Sequence, residues 1–198
     1  MKNEIVAHND LKIRIEEDFF NSVDSNKLLK KFISKLPWES MIIKMFGKDT
    51  KIPRLQCWIG DEGCEYRYSG KQLNRQIWSQ DLIMIRKKIY KELKIDFNSV
   101  LANYYRDGKD SMGWHSDDEK ELGPNPTIAS ISFGGERDLV FRNKISKETL
   151  AIPQTNGCLI LIDGETQRNW QHSIKKTQKV IGPRINLTFR NIINKNNF

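Results

Sequence analysis

The sequence predicts a mostly β fold of the α+β class, a sandwich or jelly roll preceded by two helices. Many short strands separated by loop-forming residues are typical of these architectures. The chain shows this pattern in its second half, where Gly, Pro, Asn and Asp separate strand-like runs at residues 99–105, 127–133, 138–142, 149–152, 157–162, 179–181 and 184–190. Before them, two stretches carry apolar residues at helical spacing.

The first helix is predicted over residues 24–36, with Asp24 or Ser25 as its cap. Its apolar stripe consists of Leu28, Leu29, Phe32, Ile33 and Leu36. The second helix is predicted to begin after Ser79 as its cap. Its stripe consists of Leu82, Ile85, Ile89 and Leu93. Residues three and four apart share one helix face, so each set predicts an amphipathic helix.

The segment between the two helices predicts a hairpin. Residues 41–46 are mainly apolar, Gly47-Lys48-Asp49 can form a turn, and a second strand-like run covers residues 55–59. Met45 and Phe46 would lie near the tip. An apolar pair at a polar turn gives up burial, so Phe46 either folds back onto the core or contacts a partner.

The charge distribution is uneven. The chain has 33 basic and 25 acidic residues and a formal net charge of +8. Such a surplus fits a polyanionic partner and equally fits an ordinary basic protein. Residues 24–54 hold eight basic residues against three acidic ones, which is more than half of the surplus. This segment therefore predicts one basic face.

Cysteine usage and hydropathy predict a protein of the cytoplasm, or of the nucleus in a eukaryote. Cys57, Cys64 and Cys158 form no CxxC pair, which argues against a disulfide framework or a zinc site. The N-terminus lacks the apolar core of a signal peptide. No apolar run approaches the ~18 residues that span a bilayer, so no membrane partner is expected.

Three residues have the composition of a metal site. In an extended segment, residues two apart point to the same side, so His115 and Asp117 can face one point. His172 follows shortly after the predicted strand at 157–162. Two histidines and one carboxylate form the facial triad of non-haem Fe(II) oxygenases. A His-x-Asp motif alone recurs by chance.

The last predicted strand, residues 184–190, strengthens this interpretation. Ile185, Leu187 and Phe189 alternate with Arg184, Asn186, Thr188 and Arg190. If the polar face pointed into a jelly roll, two buried guanidiniums would need anions. A dicarboxylate would supply them, since arginine binds carboxylates in bidentate fashion. The alternative is an edge strand with a hydrated polar face.

Together these motifs resemble the AlkB family of 2-oxoglutarate- and iron-dependent dealkylating dioxygenases. The similarity covers residues 96–193 most strongly, and residues 117–122 and 128–134 are most similar to the branch that repairs duplex DNA. The matching motifs are Asn103-Tyr104-Tyr105, His115-Ser116-Asp117, His172 and Arg184 to Arg190. The resemblance implies a double-stranded β-helix, or jelly roll, over residues 96–193. Residues 1–95 would be an N-terminal extension with two helices and substrate-recognition hairpins.

The resemblance also implies roles for individual residues. Iron would be bound by His115, Asp117 and His172. The co-substrate 2-oxoglutarate, which is used together with O2, would be bound by Asn103, Tyr105, Arg184, Asn186 and Arg190. The damaged base would be contacted by Tyr66, Tyr68, Ser69, Asp118 and Glu119. Phe46 lies where the duplex-repair branch carries an intercalating finger. For the two tyrosines the alternative is ordinary hairpin packing.

The implied function is oxidative removal of alkyl groups from nucleic-acid bases, with alkylated DNA as the partner and no obligate protein partner. Three alternatives are open. The same chemistry could act on RNA or tRNA, or the chain could be an inactive nucleic-acid-binding module. A cupin-like sugar or metal-storage protein is the third, but it would not need the paired arginines.

Overall fold

The computed structural model describes residues 3–8, 10–45, 47–68 and 71–193. The longer helices are α1 (Ser22–Lys35) and α2 (Gln80–Leu93), and α3 is the short helix Gly164–Asn169. The first eight strands are β1 (Asn3–His8), β2 (Leu11–Glu16), β3 (Ile42–Met45), β4 (Lys48–Lys51), β5 (Leu55–Gly60), β6 (Arg67–Tyr68), β7 (Lys71–Gln72) and β8 (Arg75–Gln76). The other eight are β9 (Ser99–Tyr105), β10 (Met112–His115), β11 (Ile128–Gly134), β12 (Arg137–Asn143), β13 (Thr149–Gln154), β14 (Leu159–Ile162), β15 (Trp170–Ile174) and β16 (Arg184–Arg190).

Two sheets form the predicted β-rich body. The large sheet has eight strands in the order β1-β2-β14-β11-β16-β9-β5-β8, and the small sheet has the order β10-β15-β12-β13. Apolar residues of β2, β11 and β14 pack against those of β12, β13 and β15 between the sheets. Helices α1 and α2 cover the outer face of the large sheet. The arrangement is three layers, with the site described below between the sheets.

Strand β16 is central, not at an edge, since it pairs with β11 on one side and β9 on the other. All seven of its residues are buried. Ile185, Leu187 and Phe189 belong to the core under the helices. The predicted division of this strand into an apolar and a polar face is therefore confirmed, and the edge-strand alternative is wrong.

The helices follow the prediction with one correction. The side chain of Asn21 accepts from the backbone N–H of Asp24, so α1 begins at Ser22 and neither Asp24 nor Ser25 is its cap. Ser25 is buried in the first turn, where its hydroxyl donates to the carbonyl of Phe20. The helix ends before Pro37, because proline disfavours helical backbone in the residue ahead of it. The Ser79 cap of α2 is confirmed.

The predicted hairpin has a different second strand. Strand β3 pairs with β4, with Met45 opposite Lys48, so the tip lies where it was expected. The run at 55–59 instead lies in β5, which pairs with β9 in the large sheet. Its residues are mainly buried, whereas β4 is mainly exposed, so burial favours the sheet over the hairpin for the apolar run.

Two further expectations need correction. Residues 179–181 form a loop in which Val180 is fully exposed, and no strand within the described ranges pairs with them. The basic segment 24–54 is not one surface throughout: its lysines are divided between α1 and the β3–β4 hairpin, and Arg54 is buried. Strands β1, β2, β4, β8, β10 and β15 were not predicted.

Three features of the fold bear on the expectations about domain division, disulfides and membrane spans. Strands β2 and β5, which precede residue 96, join the same sheet as β9, β11, β14 and β16. The three cysteines are free and buried. Within the described ranges, no helix has the length and apolar character that a membrane crossing requires.

Candidate active site

Antiparallel pairing of β10 with β15 brings the two site histidines together. The register places His115 directly opposite His172, and their ring centroids are 4.3 Å apart. Asp117 follows β10, and its Oδ2 lies 3.8 Å from Nε2 of His172. The ligand atoms of these three residues all lie within 4.8 Å of one another. The predicted convergence on one point is therefore confirmed.

Neighbouring groups fix the orientation of these side chains. The hydroxyl of Ser116 donates to the carbonyl of Trp170 at 2.9 Å, and the N–H of Asp117 donates to Oε1 of Gln167 at 3.0 Å. Nδ1 of His115 lies 3.0 Å from the carbonyl oxygen of Gly113. This contact favours the tautomer protonated at Nδ1, which leaves Nε2 as a metal ligand.

The protonation states suit a divalent cation. Burial alone would raise the pKa of Asp117, but the charges of Arg190, His172 and His115 lower it to about 2. Nη2 of Arg190 donates to Oδ1 of Asp117 at 2.5 Å. Burial, with the nearby His115, lowers the pKa of His172 to about 3, and burial also lowers the pKa of His115. At neutral pH the set is two neutral imidazoles and one carboxylate, as metal binding requires.

The polar face of β16 lines the same pocket as the three ligand atoms. Nη2 of Arg184 donates to the hydroxyl of Ser132 at 2.9 Å and to Oε1 of Gln154. The guanidinium carbon also lies 5.0 Å from the centre of the Tyr105 ring. Burial lowers the pKa of Arg184, whose side chain is only 1% exposed.

A hydrogen-bonded row continues along β16 from Arg184. Nδ2 of Asn186 donates to the hydroxyl of Ser130 at 2.8 Å and to the carbonyl of Ile131 at 3.2 Å. The hydroxyl of Thr188 donates to Oδ1 of Asn186 at 2.9 Å. The row therefore holds the Asn186 amide in a fixed orientation beside the pocket.

Arg54, just before β5, and Gln56, in β5, are buried and hold a side chain of the pocket in place. Oδ1 of Asn103 accepts from Nε of Arg54 and from Nε2 of Gln56, both at 2.9 Å. Arg54 also donates to the carbonyl of Ser111 at 3.2 Å. Sequence reasoning placed Arg54 on a basic surface and did not single out Gln56. Their role depends on the pairing of β5 with β9, which the sequence pattern did not reveal.

The unsatisfied polar atoms of the pocket fit a metal and an anionic ligand. Among the described residues, Nε and Nη1 of both Arg184 and Arg190 have no hydrogen-bond partner although they are buried. Oδ2 of Asp117 is also buried and has no hydrogen-bond partner among these residues. Buried charged donors without partners are costly, so a bound carboxylate would stabilise the guanidiniums. One carboxylate and two imidazoles are the donor set of non-haem iron sites.

Comparison with known proteins agrees with this geometry. The model of the "2OG-Fe(II) oxygenase superfamily" matches residues 12–190. The chain belongs to this superfamily. Membership implies Fe(II) as the metal and 2-oxoglutarate and O2 as co-substrates, which the His-Asp-His cluster suits.

The oxygenase has relatives among AlkB homologues. It is 40% identical over 159 residues to human DNA oxidative demethylase ALKBH2, covering 76% of this chain and 61% of that protein. It is 34% identical over 183 residues to mouse alpha-ketoglutarate-dependent dioxygenase alkB homolog 3, covering 88% of this chain and 64% of that protein. The chain thus spans less than two thirds of the length of these two relatives.

A solved structure has the same fold as the oxygenase. OsALKBH1 superimposes with a TM-score of 0.67 at 12% identity, covering 95% of this chain and 100% of that chain. At this identity the likeness concerns the fold alone. It supports the predicted mostly β oxygenase architecture.

On the substrate side, the structure describes only some of the predicted residues. Phe46 and Ser69 lie outside the described residues, and only the backbone of Tyr68 is described, in β6. The ring of Tyr66 is fully buried and stacks on Trp58 with centroids 4.6 Å apart. Asp118 is exposed.

The hydroxyl of Tyr66 connects this packed ring to the His-Asp-His cluster. It donates to Oε1 of Glu119 at 2.9 Å, two residues beyond Asp117. The guanidinium carbon of Arg190 lies 5.7 Å from the centre of the Tyr66 ring. Burial raises the pKa of Glu119 and raises the pKa of Tyr66 well above its ordinary value. The ring position matches the packing alternative, while the hydroxyl lies beside the polar pocket.

Proposed function

We propose that this oxygenase removes alkyl groups oxidatively from N-alkylated bases in DNA. One observation carries the proposal: three ligand atoms within 4.8 Å of one another share a pocket with two buried arginines that have unsatisfied N–H groups. The choice of DNA rests on the relative named as a DNA oxidative demethylase. The protein would act in the cytoplasm, or in the nucleus of a eukaryote, and would need no obligate protein partner.

In this proposal each polar group has one task. His115, Asp117 and His172 would bind Fe(II). Iron and 2-oxoglutarate, when bound, supply the oxidation of the N-alkyl carbon by O2, which leaves the free base and an aldehyde. Arg190 keeps Asp117 ionised and would also contact the nearer co-substrate carboxylate.

The distal carboxylate of 2-oxoglutarate would bind Arg184, deep in the pocket. Its Nε and Nη1 have no hydrogen-bond partner among the described residues, so both can donate to a bound carboxylate. Asn103, Tyr105 and Asn186 would complete the binding site. The bonds from Arg54 and Gln56 keep the Asn103 amide oriented before the co-substrate enters.

Access to a base in a duplex requires that it flip out of the stack, at a cost of a few kcal/mol. Alkylation of the pairing edge lowers this cost, because the base has already lost its partner. Tyr66, Tyr68, Ser69, Asp118 and Glu119 would contact the flipped base. Residues 1–95 would thus supply Tyr66, Tyr68 and Ser69 for substrate recognition, whereas residues 96–193 would supply Asp118, Glu119 and most strands of the catalytic jelly roll.

The β3–β4 hairpin is the proposed contact with the duplex. Phe46, which follows β3 in the sequence, would fill the space that the flipped base leaves. Lys44 and Lys48 lie on the strands that flank Phe46, and both are exposed. Their charges suit phosphates, which position a duplex without reading its sequence.

The test is an assay of 2-oxoglutarate decarboxylation with methylated oligonucleotides, duplex and single-stranded, DNA and RNA, with and without Fe(II). We expect Fe(II)-dependent succinate formation and base release, fastest with methylated DNA. Unmethylated oligonucleotides of the same sequence are the matched control. Faster turnover of RNA would overturn the choice of DNA, and no turnover with any methylated substrate would overturn the proposed reaction.

A further inference from the structure

The two long helices carry most of the positive surplus of the chain. Together with Lys94, which ends α2, they hold nine basic residues and three acidic ones, a surplus of six out of the chain total of +8. The lysines among them form what we call the helix lysine face: Lys27, Lys30, Lys31, Lys35, Lys87, Lys88, Lys91 and Lys94. The surplus is therefore concentrated on one layer of the fold.

This face lies on the opposite side of the large sheet from the active site. The apolar sides of both helices pack on Ile185, Leu187 and Phe189 of β16. The intervening residues of the same strand, Arg184 and Asn186 among them, line the catalytic pocket on the other side. A duplex bound at the active site therefore cannot also be held by these lysines unless it wraps around the protein.

The helix lysine face is largely unneutralised. Seven of the eight lysines are exposed, and Lys88 is half-buried over the rings of Phe19 and Phe20. Within the described part of the chain, only Lys31 has a carboxylate within 4.0 Å, that of Asp81 at 2.7 Å. That ion pair links α1 to α2, so the lysines of both helices belong to one surface.

The lysines are arranged along lines. Lys27, Lys31 and Lys35 recur every four residues on α1, and Lys87, Lys91 and Lys94 form a similar row on α2. Each α1 step advances about 6 Å, so the row spans about 12 Å. Over that distance a duplex presents about seven phosphates, at one per ~1.7 Å of its axis. The six lysines of the two rows can therefore contact a comparable number of phosphates.

We propose that the helix lysine face binds a second segment of DNA duplex while the active site holds the first. This rests on the proposed action on DNA. Two separate binding faces would let the enzyme keep contact with one segment while it examines another for damage. A membrane surface fits less well, because the apolar stripes of both helices are buried against the sheet and only the single apolar residues Val23, Met84 and Tyr90 are exposed.

The test compares a variant with its charge-matched control. The variant changes exposed helix lysines to glutamine, which keeps helix propensity, at Lys27, Lys30, Lys87 and Lys91. The control removes four exposed charges elsewhere, at Lys12, Lys109, Lys147 and Arg168. Both are measured for binding to a long unmethylated duplex at several salt concentrations, and for demethylation of a short methylated duplex at saturation.

For the helix variant we expect a shallower salt dependence, by about 0.9 in log–log slope per lost phosphate contact, or about 3–4 in all. From 50 to 200 mM salt, wild-type affinity would then fall about 100-fold more than that of the variant. Wild type bound to a short lesion duplex should capture a second labelled duplex, and the helix variant should not. The control should keep the wild-type slope and capture.

Three results would overturn the proposal: an unchanged slope in the helix variant, an equal change in the control, or tighter binding of polyglutamate than of duplex to wild type. The demethylation arm separates the two proposals. Demethylation should be equal in wild type and both variants, so its absence in all three would sink the proposed reaction. A slope change confined to the helix variant would still support the second binding face.

Discussion

Replacement of Arg184 by methionine should weaken co-substrate binding strongly without a matching loss of stability. The side chain is 1% exposed, and two of its nitrogens have no partner among the described residues. Removing one member of a buried charge pair costs about 2–5 kcal/mol of binding energy. The dissociation constant for 2-oxoglutarate should therefore rise about 30-fold or more.

The folded protein without ligands should respond differently. Removing an uncompensated buried charge relieves the cost of its desolvation, which stabilises the fold. Against this, Oε1 of Gln154 loses its donor, which costs about 1–3 kcal/mol. The two effects largely cancel, so the ligand-free Arg184→Met variant should unfold close to the wild-type temperature.

Thermal unfolding with Mn(II) and 2-oxoglutarate measures both effects without turnover. At 100 times the dissociation constant, a ligand stabilises by about 2.7 kcal/mol. For a chain of this size that raises Tm by about 5–11 °C. The same ligand concentration should raise Tm of the variant by only about 3 °C or less, since its binding is at least about 30-fold weaker.

Arg137 supplies a matched control. It is also a buried arginine, but it donates to the carbonyls of Asp107, Asp110 and Lys175. Arg137→Met should lower Tm of the ligand-free protein and leave the ligand-induced rise intact. A full wild-type rise in the Arg184 variant would refute the assignment of Arg184 to the co-substrate.

Three further predictions concern other parts of the molecule. Phe46→Ala should reduce repair in duplexes about 5- to 150-fold more than in single strands, the equivalent of about 1–3 kcal/mol of stacking. Equal losses of activity on both substrates would contradict the proposal that Phe46 fills the space of the flipped base. Burial raises the pKa of Cys57 to about 12 and that of Cys158 to about 11. Neither thiol should therefore react with a maleimide at pH 8 before denaturant is added. Rapid labelling of the native protein would contradict this. Burial alone would raise the pKa of Asp110, but hydrogen bonds from Arg106 lower it below 3.8. Such a carboxylate stabilises the fold above its unfolded pKa and loses this effect as the pH falls through the folded value. Asp110→Asn should therefore be less stable than wild type at pH 7, and the difference in urea unfolding should shrink below pH 4; a constant difference would argue against the pair.

Local patterns carried much of the fold. The alternation of Arg184 to Arg190 predicted a strand with one apolar and one polar face, because period two is intrinsic to a strand. Ser79 marked the start of α2 in the same way. The start of α1 was misplaced because Ser25 has the chemistry of a cap, whereas its hydroxyl is used inside the first turn.

Non-local pairing set the limit of prediction. The apolar run of β5 was assigned to the nearby hairpin, since a single sequence gives no sign that its partner is β9, some forty residues later. The same pairing brings Arg54 and Gln56 against Asn103, which lines the pocket. Strands β10 and β15 are short, and the pairing of β10 with β15 is irregular, so the register that places His115 opposite His172 was visible only in the structure.

Within the site, the residues that carry charge were predictable and their neutral partners were not. Arginine, histidine and aspartate stand out in a sequence because burying them requires a reason. Ser130, Ser132 and Gln154 are common surface types. Only the order of β11, β16 and β13 around the pocket shows that they hold Asn186 and Arg184 in place.

The most direct test of the account measures succinate, demethylated base and DNA affinity together, for wild type, His115→Ala and Asp117→Ala. Wild type should form succinate and demethylated base in equal amounts when Fe(II) is present. Both variants should form neither product while their DNA affinity stays within a few-fold of wild type. Demethylation at a wild-type rate by either variant would contradict the assignment of these side chains to the iron.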